Sequence, residues 1–293
     1  MSLTSVKEYF TPTGIEEVSE LLETHGDSAL IVAGGSFVHG LDARDLLTGI
    51  EALIDIQNVG LDQVSSDSTG LTIGAMVKFT ELQQLDKVQN SAAFGAVRDA
   101  LTYPPTQIKN VATIGGNIAA ACPYFDLPTA VMVLDAVVQA RGPGGSRDIE
   151  LQDFFEDLFQ NSLEDNEFVT DLFFPQLPSR SASAFTKLET NANDLAIVNV
   201  ATRLTLDDSG TCQAARVAVG GGVAETPVRA VSAETLLQGQ EISSELIEQA
   251  GVAAQSDLQP MSDHRASAAY RSAIAKTLTQ RTLQRAFDRL TGA

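Results

Sequence analysis

The stretch Asn110–Pro128 reads NVATIGGNIAAACPYFDLP. Within it Val111–Ala121 has no clear period, and the central Gly115-Gly116 pair marks a tight turn open to close backbone approach. Upstream, Tyr103-Pro104-Pro105 ends a helical pattern over residues 92–100. Downstream, Pro128 fits a first helical turn, and Ala130, Val131 and Leu134 follow on one face. About eighty residues earlier a short strand, Ala29–Ala33, runs into another glycine pair within IVAGGSFVHG, Ile31–Gly40. Glycines in such turns let consecutive N–H groups converge on an anion, with the hydroxyls of Ser36 and Thr113 close by. Two such loops suit a pyrophosphate, whereas either one alone reads more simply as a turn.

Working outward, a helix is expected over 14–25, with Ile15, Val18, Leu21 and Leu22 on one face. Strands follow near 52–56 and 71–73, a helix from about Thr80, and strands at 136–141 and 169–174. Gln176–Ser183, QLPSRSAS, reads as a linker. Beyond it Val198, Val200, Leu204 and Leu206, then Val217 and Val219, alternate with small or polar residues, the pattern of antiparallel strands with one buried face. Three helices complete the chain at 230–237, 244–255 and 267–291, the last with an apolar stripe of Tyr270, Ile274, Leu278, Leu283, Phe287 and Leu290.

A formal charge of −19 argues against a nucleic-acid partner, which is held mainly by Lys and Arg on phosphates. Only six of the nineteen basic residues are Lys, which suits a protein of high-salt surroundings and an acidic mesophilic one about equally. No apolar run is long enough to cross a bilayer and the N-terminus has no secretion signal, so the cytoplasm is the expected compartment. Cys122 and Cys212 are too few and too far apart for a disulfide framework or a zinc or iron–sulfur site, so no metal is expected in this chain. The glycine pairs match neither G-x-G-x-x-G nor a P-loop. His25, His39 and His264 are scattered, and no nucleophile–histidine arrangement nominates a catalytic residue.

Three stretches together, Ile31–Gly40, Gln107–Ala136 (QIKNVATIGGNIAAACPYFDLPTAVMVLDA) and Val217–Ala230 (VAVGGGVAETPVRA), resemble the medium, flavoprotein subunit of the molybdenum hydroxylases, the family of the carbon monoxide dehydrogenase medium subunit and the xanthine dehydrogenase FAD domain. The resemblance covers nearly the whole chain. It implies an α+β fold: a two-part FAD-binding domain of the vanillyl-alcohol-oxidase-like type over 1–175, with subdomains of about 1–57 and 58–175, and a smaller C-terminal domain over 176–293 with an antiparallel sheet and helices. It also implies FAD as cofactor and two partners, a large molybdopterin-binding subunit and a small [2Fe-2S] subunit, assembled as a dimer of heterotrimers.

By the same resemblance, Ile31, Val32, Ala33, Gly34, Gly35, Ser36, Phe37 and Val38, with Thr113, Ile114, Gly115, Gly116 and Asn117, hold the FAD pyrophosphate mainly through backbone amides. Asp126 then contacts the ribityl chain or the flavin side, Tyr103 lies near the adenine, and Val169 and Lys187 line the flavin pocket. Taken alone, Asp126 reads equally as a helix N-cap, Tyr103 as a packing anchor and Lys187 as a solvated charge. The family commonly carries an arginine after the lysine where this chain reads KLETNANDLA from Lys187, with Asn191 near that place and Asp194-Leu195-Ala196 kept. The function implied is electron transfer from partner iron–sulfur clusters through FAD to an external acceptor. A free-standing flavin oxidase or reductase of the same fold, and a binding protein that has lost the cofactor, are the competing readings.

Overall fold

The computed structural model describes residues 5–44 and 47–292, so the domain limits read from the sequence at Met1 and Ala293 lie outside the described residues. Three short parallel strands, β1 (Glu8–Phe10), β2 (Ala29–Val32) and β3 (Ala52–Asp55), form a sheet in the order β1-β3-β2. Helix α1 (Ile15–His25) turns Val18 and Leu22 onto Ile54 at the sheet face, and its exposed side carries Glu16 and Glu17 at the positive end of the helix dipole. β2 then passes through Ala33-Gly34-Gly35 into a short helix, α2 (Ser36–Asp42), which the sequence pattern did not announce.

The next sheet is antiparallel. Strands β4 (Val64–Ser66), β5 (Gly70–Gly74), β6 (Val137–Gly142) and β7 (Gly145–Glu150) flank β10 (Phe168–Pro175) in the order β4-β5-β10-β6-β7, and a two-stranded hairpin, β8 (Phe155–Asp157) and β9 (Gln160–Asn161), stands apart. Between β5 and β6 the chain makes α3 (Phe79–Gln84), α4 (Asp86–Asn90), α5 (Gly95–Ala100), α6 (Thr106–Lys109), α7 (Ile114–Ala119) and α8 (Asp126–Met132), and α9 (Leu151–Phe154) follows β7. Ile73, Leu101, Ile114, Ile118, Leu134 and Leu172 close this core, each fully buried and each stabilising the fold by roughly 2 kcal/mol.

The third sheet, β11 (Ser181–Leu188), β12 (Val198–Leu206), β13 (Cys212–Gly220) and β14 (Val228–Arg229), is antiparallel in that order, with α10 (Val231–Leu237), α11 (Ser244–Ala254) and α12 (Ala268–Thr291) packed together beside it. The fold is α+β, as the resemblance implied. Three local expectations are corrected. The linker is shorter than 176–183, because β11 begins at Ser181 and Ser183 is fully buried, its hydroxyl bonded to Ala93 O at 2.5 Å. β12 is buried on both faces rather than one: Val198, Val200 and Leu204 meet the three helices, while Asn199, Ala201 and Arg203 face the FAD-binding half. On α12, Tyr270 is 48% exposed and the neighbouring Arg271 is fully buried in its stead.

Candidate functional site

The two glycine loops lie against each other. A methyl group on Gly34 would stand 1.7 Å from the carbonyl oxygen of Val111, and one on Gly116 would stand 3.5 Å from Ala33 Cβ. Gly35, at φ 67°, takes the left-handed conformation that turns the chain into α2. The second pair is not a turn: Gly115 and Gly116 form the first turn of α7, capped by Thr113, whose hydroxyl accepts the Gly116 N–H at 3.2 Å. The amides of Ile114 and Gly115 donate to Val77 O at 3.0 Å and Ala75 O at 2.9 Å. Gly115 therefore serves close packing on Ala75, not an open anion nest. The amides of Ser36, Phe37 and Val38, which open α2, have no acceptor within the helix and are available to an anion. Ile31 and Ile114 contribute only backbone, since their side chains belong to the hydrophobic cores.

Beside the loops opens a cleft of about 380 Å³. Asn117 lines it, and its Oδ1 is buried with no hydrogen-bond partner, an acceptor awaiting a donor. The polar floor is a buried ion cluster. Lys187 Nζ lies 2.9 Å from Asp126 Oδ2 and 3.1 Å from Glu189 Oε2, with the Lys187 side chain only 3% exposed. Asn199 Nδ2 donates to Asp126 Oδ1 at 3.1 Å and to Phe125 O at 3.0 Å, and its own Oδ1 accepts from the Thr129 hydroxyl at 2.9 Å. Burial pushes the Asp126 carboxyl above the usual range, against the pull of Lys187 and Asn199. Asp126 thus spends its oxygens on the cluster rather than on capping α8, whose N-cap is Phe125. Behind the floor runs the third glycine stretch: Gly221 N bonds to Pro123 O at 2.8 Å, and a methyl on Gly220 would meet Thr129 Oγ1 at 2.5 Å.

An apolar cleft with an orphaned acceptor, free helix-opening amides and a fixed charged floor fits a flavin dinucleotide. Residues 4–177 match the family model described as the FAD binding domain in molybdopterin dehydrogenase, and residues 183–286 match the CO dehydrogenase flavoprotein C-terminal domain. The chain belongs to the flavoprotein subunits of the molybdenum hydroxylases. It is 33% identical over 285 residues to the 6-hydroxypseudooxynicotine dehydrogenase complex subunit alpha of Paenarthrobacter nicotinovorans, covering 96% of this chain and 95% of that one. It is 30% identical to the carbon monoxide dehydrogenase medium chain of Hydrogenophaga pseudoflava, covering 96% and 97%. A solved structure of carbon monoxide dehydrogenase from the same organism superposes with a TM-score of 0.91 at 29% identity, covering 97% of this chain and 98% of that one. The cofactor of this flavoprotein subunit is FAD.

Of the residues singled out in the sequence, Ser36, Phe37, Tyr103, Asn117, Asp126 and Lys187 line the cleft, and the two glycine pairs lie against each other beside it. The Val169 side chain is 5% exposed and lies in the core of the central sheet, just before the bulge of β10 at Val169/Asp171. Tyr103 is a neighbour of the Asp126–Lys187 pair. Lys187 Nζ lies 4.9 Å from the centre of its ring, and its hydroxyl accepts the Lys187 N–H at 3.3 Å, so Tyr103 belongs to the charged end of the cleft. Sequence reasoning missed Glu189 and Asn199, whose roles depend on β11 and β12 being brought onto α8, and it missed Phe125 and Phe159, which build an aromatic wall with Phe37. Cys122 also lines the cleft, but burial pushes its thiol up to about 12, so it stays protonated and unreactive at neutral pH.

Arg265 closes another part of the wall. Arg265 lies 5.5 Å from the Tyr124 ring centre and bonds to the carbonyl oxygen of Leu195, both residues lining the cleft. It is held by Asp263, which accepts the Arg265 N–H at 2.8 Å and pairs at 2.8 Å with the fully buried Arg271. Burial opposes ionisation of Asp263, but Arg271 and the amides of Ala266 and Arg265 outweigh it and hold the carboxyl down at about 2. A pKa depressed from 3.8 adds stability that is present above 3.8 and lost as the pH falls through about 2. Asp263→Asn is therefore expected to lower the urea midpoint of the flavoprotein by a constant amount from pH 6 to pH 4, and by progressively less below that. A difference that stays constant through pH 3 would count against this assignment.

Proposed function

We propose that the chain is the electron-transferring subunit of a cytoplasmic molybdenum hydroxylase complex, assembled with a large molybdopterin-binding subunit and a small [2Fe-2S] subunit as a dimer of heterotrimers. In this reading the oxidation of the organic or inorganic substrate occurs on another chain. When bound, FAD supplies the capacity to take electrons singly and release them singly or in pairs to an external acceptor. This chain's residues bind and orient it. The α2 amides of Ser36, Phe37 and Val38 would hold the pyrophosphate, Asn117 Oδ1 would accept from a cofactor hydroxyl or N–H, and the Asp126–Lys187 pair with Tyr103 would set the charge beside the flavin.

The observation that carries the reading is the spent state of the cleft's polar groups. Asp126 is held by Lys187 and Asn199, and Cys122 is kept protonated, so neither is poised to take a proton from a substrate carbon. The relatives support it in their names, one a subunit of a dehydrogenase complex and another a medium chain, for substrates as unlike as 6-hydroxypseudooxynicotine and carbon monoxide. The subunit purified with FAD and mixed anaerobically with candidate substrates is expected to keep its flavin absorbance, and to bleach within seconds once the molybdenum and iron–sulfur subunits are added. Bleaching by an organic substrate in the subunit alone would promote the free-standing flavoenzyme.

A further inference from the structure

One wall of the cleft is built from aromatic rings. Phe37, at the start of α2, meets Phe125 edge-on at 5.5 Å and Phe159 stacked at 6.0 Å and 26°. Phe159 sits at the tip of the β8–β9 hairpin, 47% exposed, with φ 59°. Asp157 pairs with Gln160, which makes Leu158-Phe159 a two-residue turn whose second central residue alone is left-handed, a place where turns favour Gly or Asn. A bulky aromatic in that conformation is disfavoured, and with nearly half of its surface in water it recovers little through packing within the chain. Yet the tip is firmly seated. Phe159 N bonds to Ala121 O at 3.2 Å, and Asn161 Nδ2 bonds to Ala119 O at 2.8 Å, both at the C-terminal end of the helix that begins with the glycine pair.

We infer that Phe159 is a retaining residue for the bound flavin dinucleotide: the hairpin holds its ring over the cleft beside Phe37, where it covers the cofactor and excludes water from it. The inference rests on the cofactor reading of the same cleft. It accounts for an exposed phenylalanine at a glycine position and for the hydrogen bonds that tie this tip to α7. A ring face laid on the cofactor loses its exposure only when the cofactor is bound, so its stabilisation appears in FAD retention and not in the stability of the empty chain.

The test compares wild type with Phe159→Gly and Phe159→Tyr in the full chain, measuring the release of FAD after dilution and the quenching of the bound flavin by iodide. Phe159→Gly relieves the left-handed backbone, so the FAD-free protein is expected to melt at the wild-type temperature or higher. Its FAD is expected to leave about tenfold faster and to be more open to iodide. Phe159→Tyr keeps the ring and is expected to match wild type. Equal release rates for wild type and Phe159→Gly would overturn the inference while leaving FAD binding in place. A wild-type chain that holds no FAD at all would overturn the inference together with the cofactor reading.

Discussion

Gly34→Ala is expected to abolish FAD retention. The added carbon would lie 1.7 Å from Val111 O and 2.6 Å from Val111 C, both backbone atoms of the segment leading into α7, so no side-chain rotation relieves the clash. The loops must part, carrying the α2 amides away from Thr113 and Asn117. Overpacking of this kind costs on the order of 3 kcal/mol, roughly a hundredfold in affinity, and here it falls on the contact between the loops. Gly35→Ala should do less, since its methyl would meet only Val32 Cγ1 at 3.9 Å and the penalty is the left-handed backbone, about 1 kcal/mol. Gly115→Val differs in kind, because its side chain would enter Ala75 at 2.4 Å and disturb the core with the site. Flavin content after gel filtration, with far-ultraviolet circular dichroism as the check on folding, separates the three. A Gly34→Ala protein that remains fully yellow would show that the loop contact is dispensable.

The second large effect is expected at Lys187. Lys187→Met leaves Asp126 and Glu189 as neighbouring carboxylates in a site where the lysine side chain is 3% exposed and the aspartate 10%. Removing one partner of such a buried pair costs about 3–5 kcal/mol, most of it the penalty of the charge left behind. A fall of several degrees in the melting temperature of the FAD-free protein and weaker FAD binding should both follow. Adding Asp126→Asn in the same chain removes the stranded charge and keeps an acceptor for Asn199 Nδ2, so much of the stability should return. If FAD affinity returned in step with stability, the pair would act on the cofactor only through the fold. A double variant still weak for FAD would place the charge itself among the determinants of binding.

The site was partly legible before the fold. Gly34 and Gly35 announced a special backbone because no other residue serves so well where chains touch or turn left-handed, and Asp126 and Lys187 stood in stretches that resemble a known family. Glu189, Asn199 and Phe159 carried no signal of their own. Asn199 is one of the polar alternates of β12, and period-2 alternation reads such residues as facing water. Here the second face docks onto α5 and α8, so Asn199 reaches Asp126 and Arg203 reaches Asp135 at 2.7 Å. Phe159 was invisible because a left-handed aromatic is a property of the folded hairpin.

The sequence by itself determined many local matters: the longer helices and strands, through the periods of their apolar residues, and the family, through Asn110–Pro128 and its companion stretches, whereas the short helices α2 and α7 at the glycine pairs left no such period. Only the tertiary structure decided which groups meet. Gly34 lies against Val111, Lys187 against Asp126, and Tyr103 beside Lys187, each across a separation of sixty residues or more. Periodicity assigns each residue a face, but it does not say what covers that face. In β12 that cover turned small and polar residues into the back wall of the site, because a buried polar group needs a partner and the facing domain supplies it.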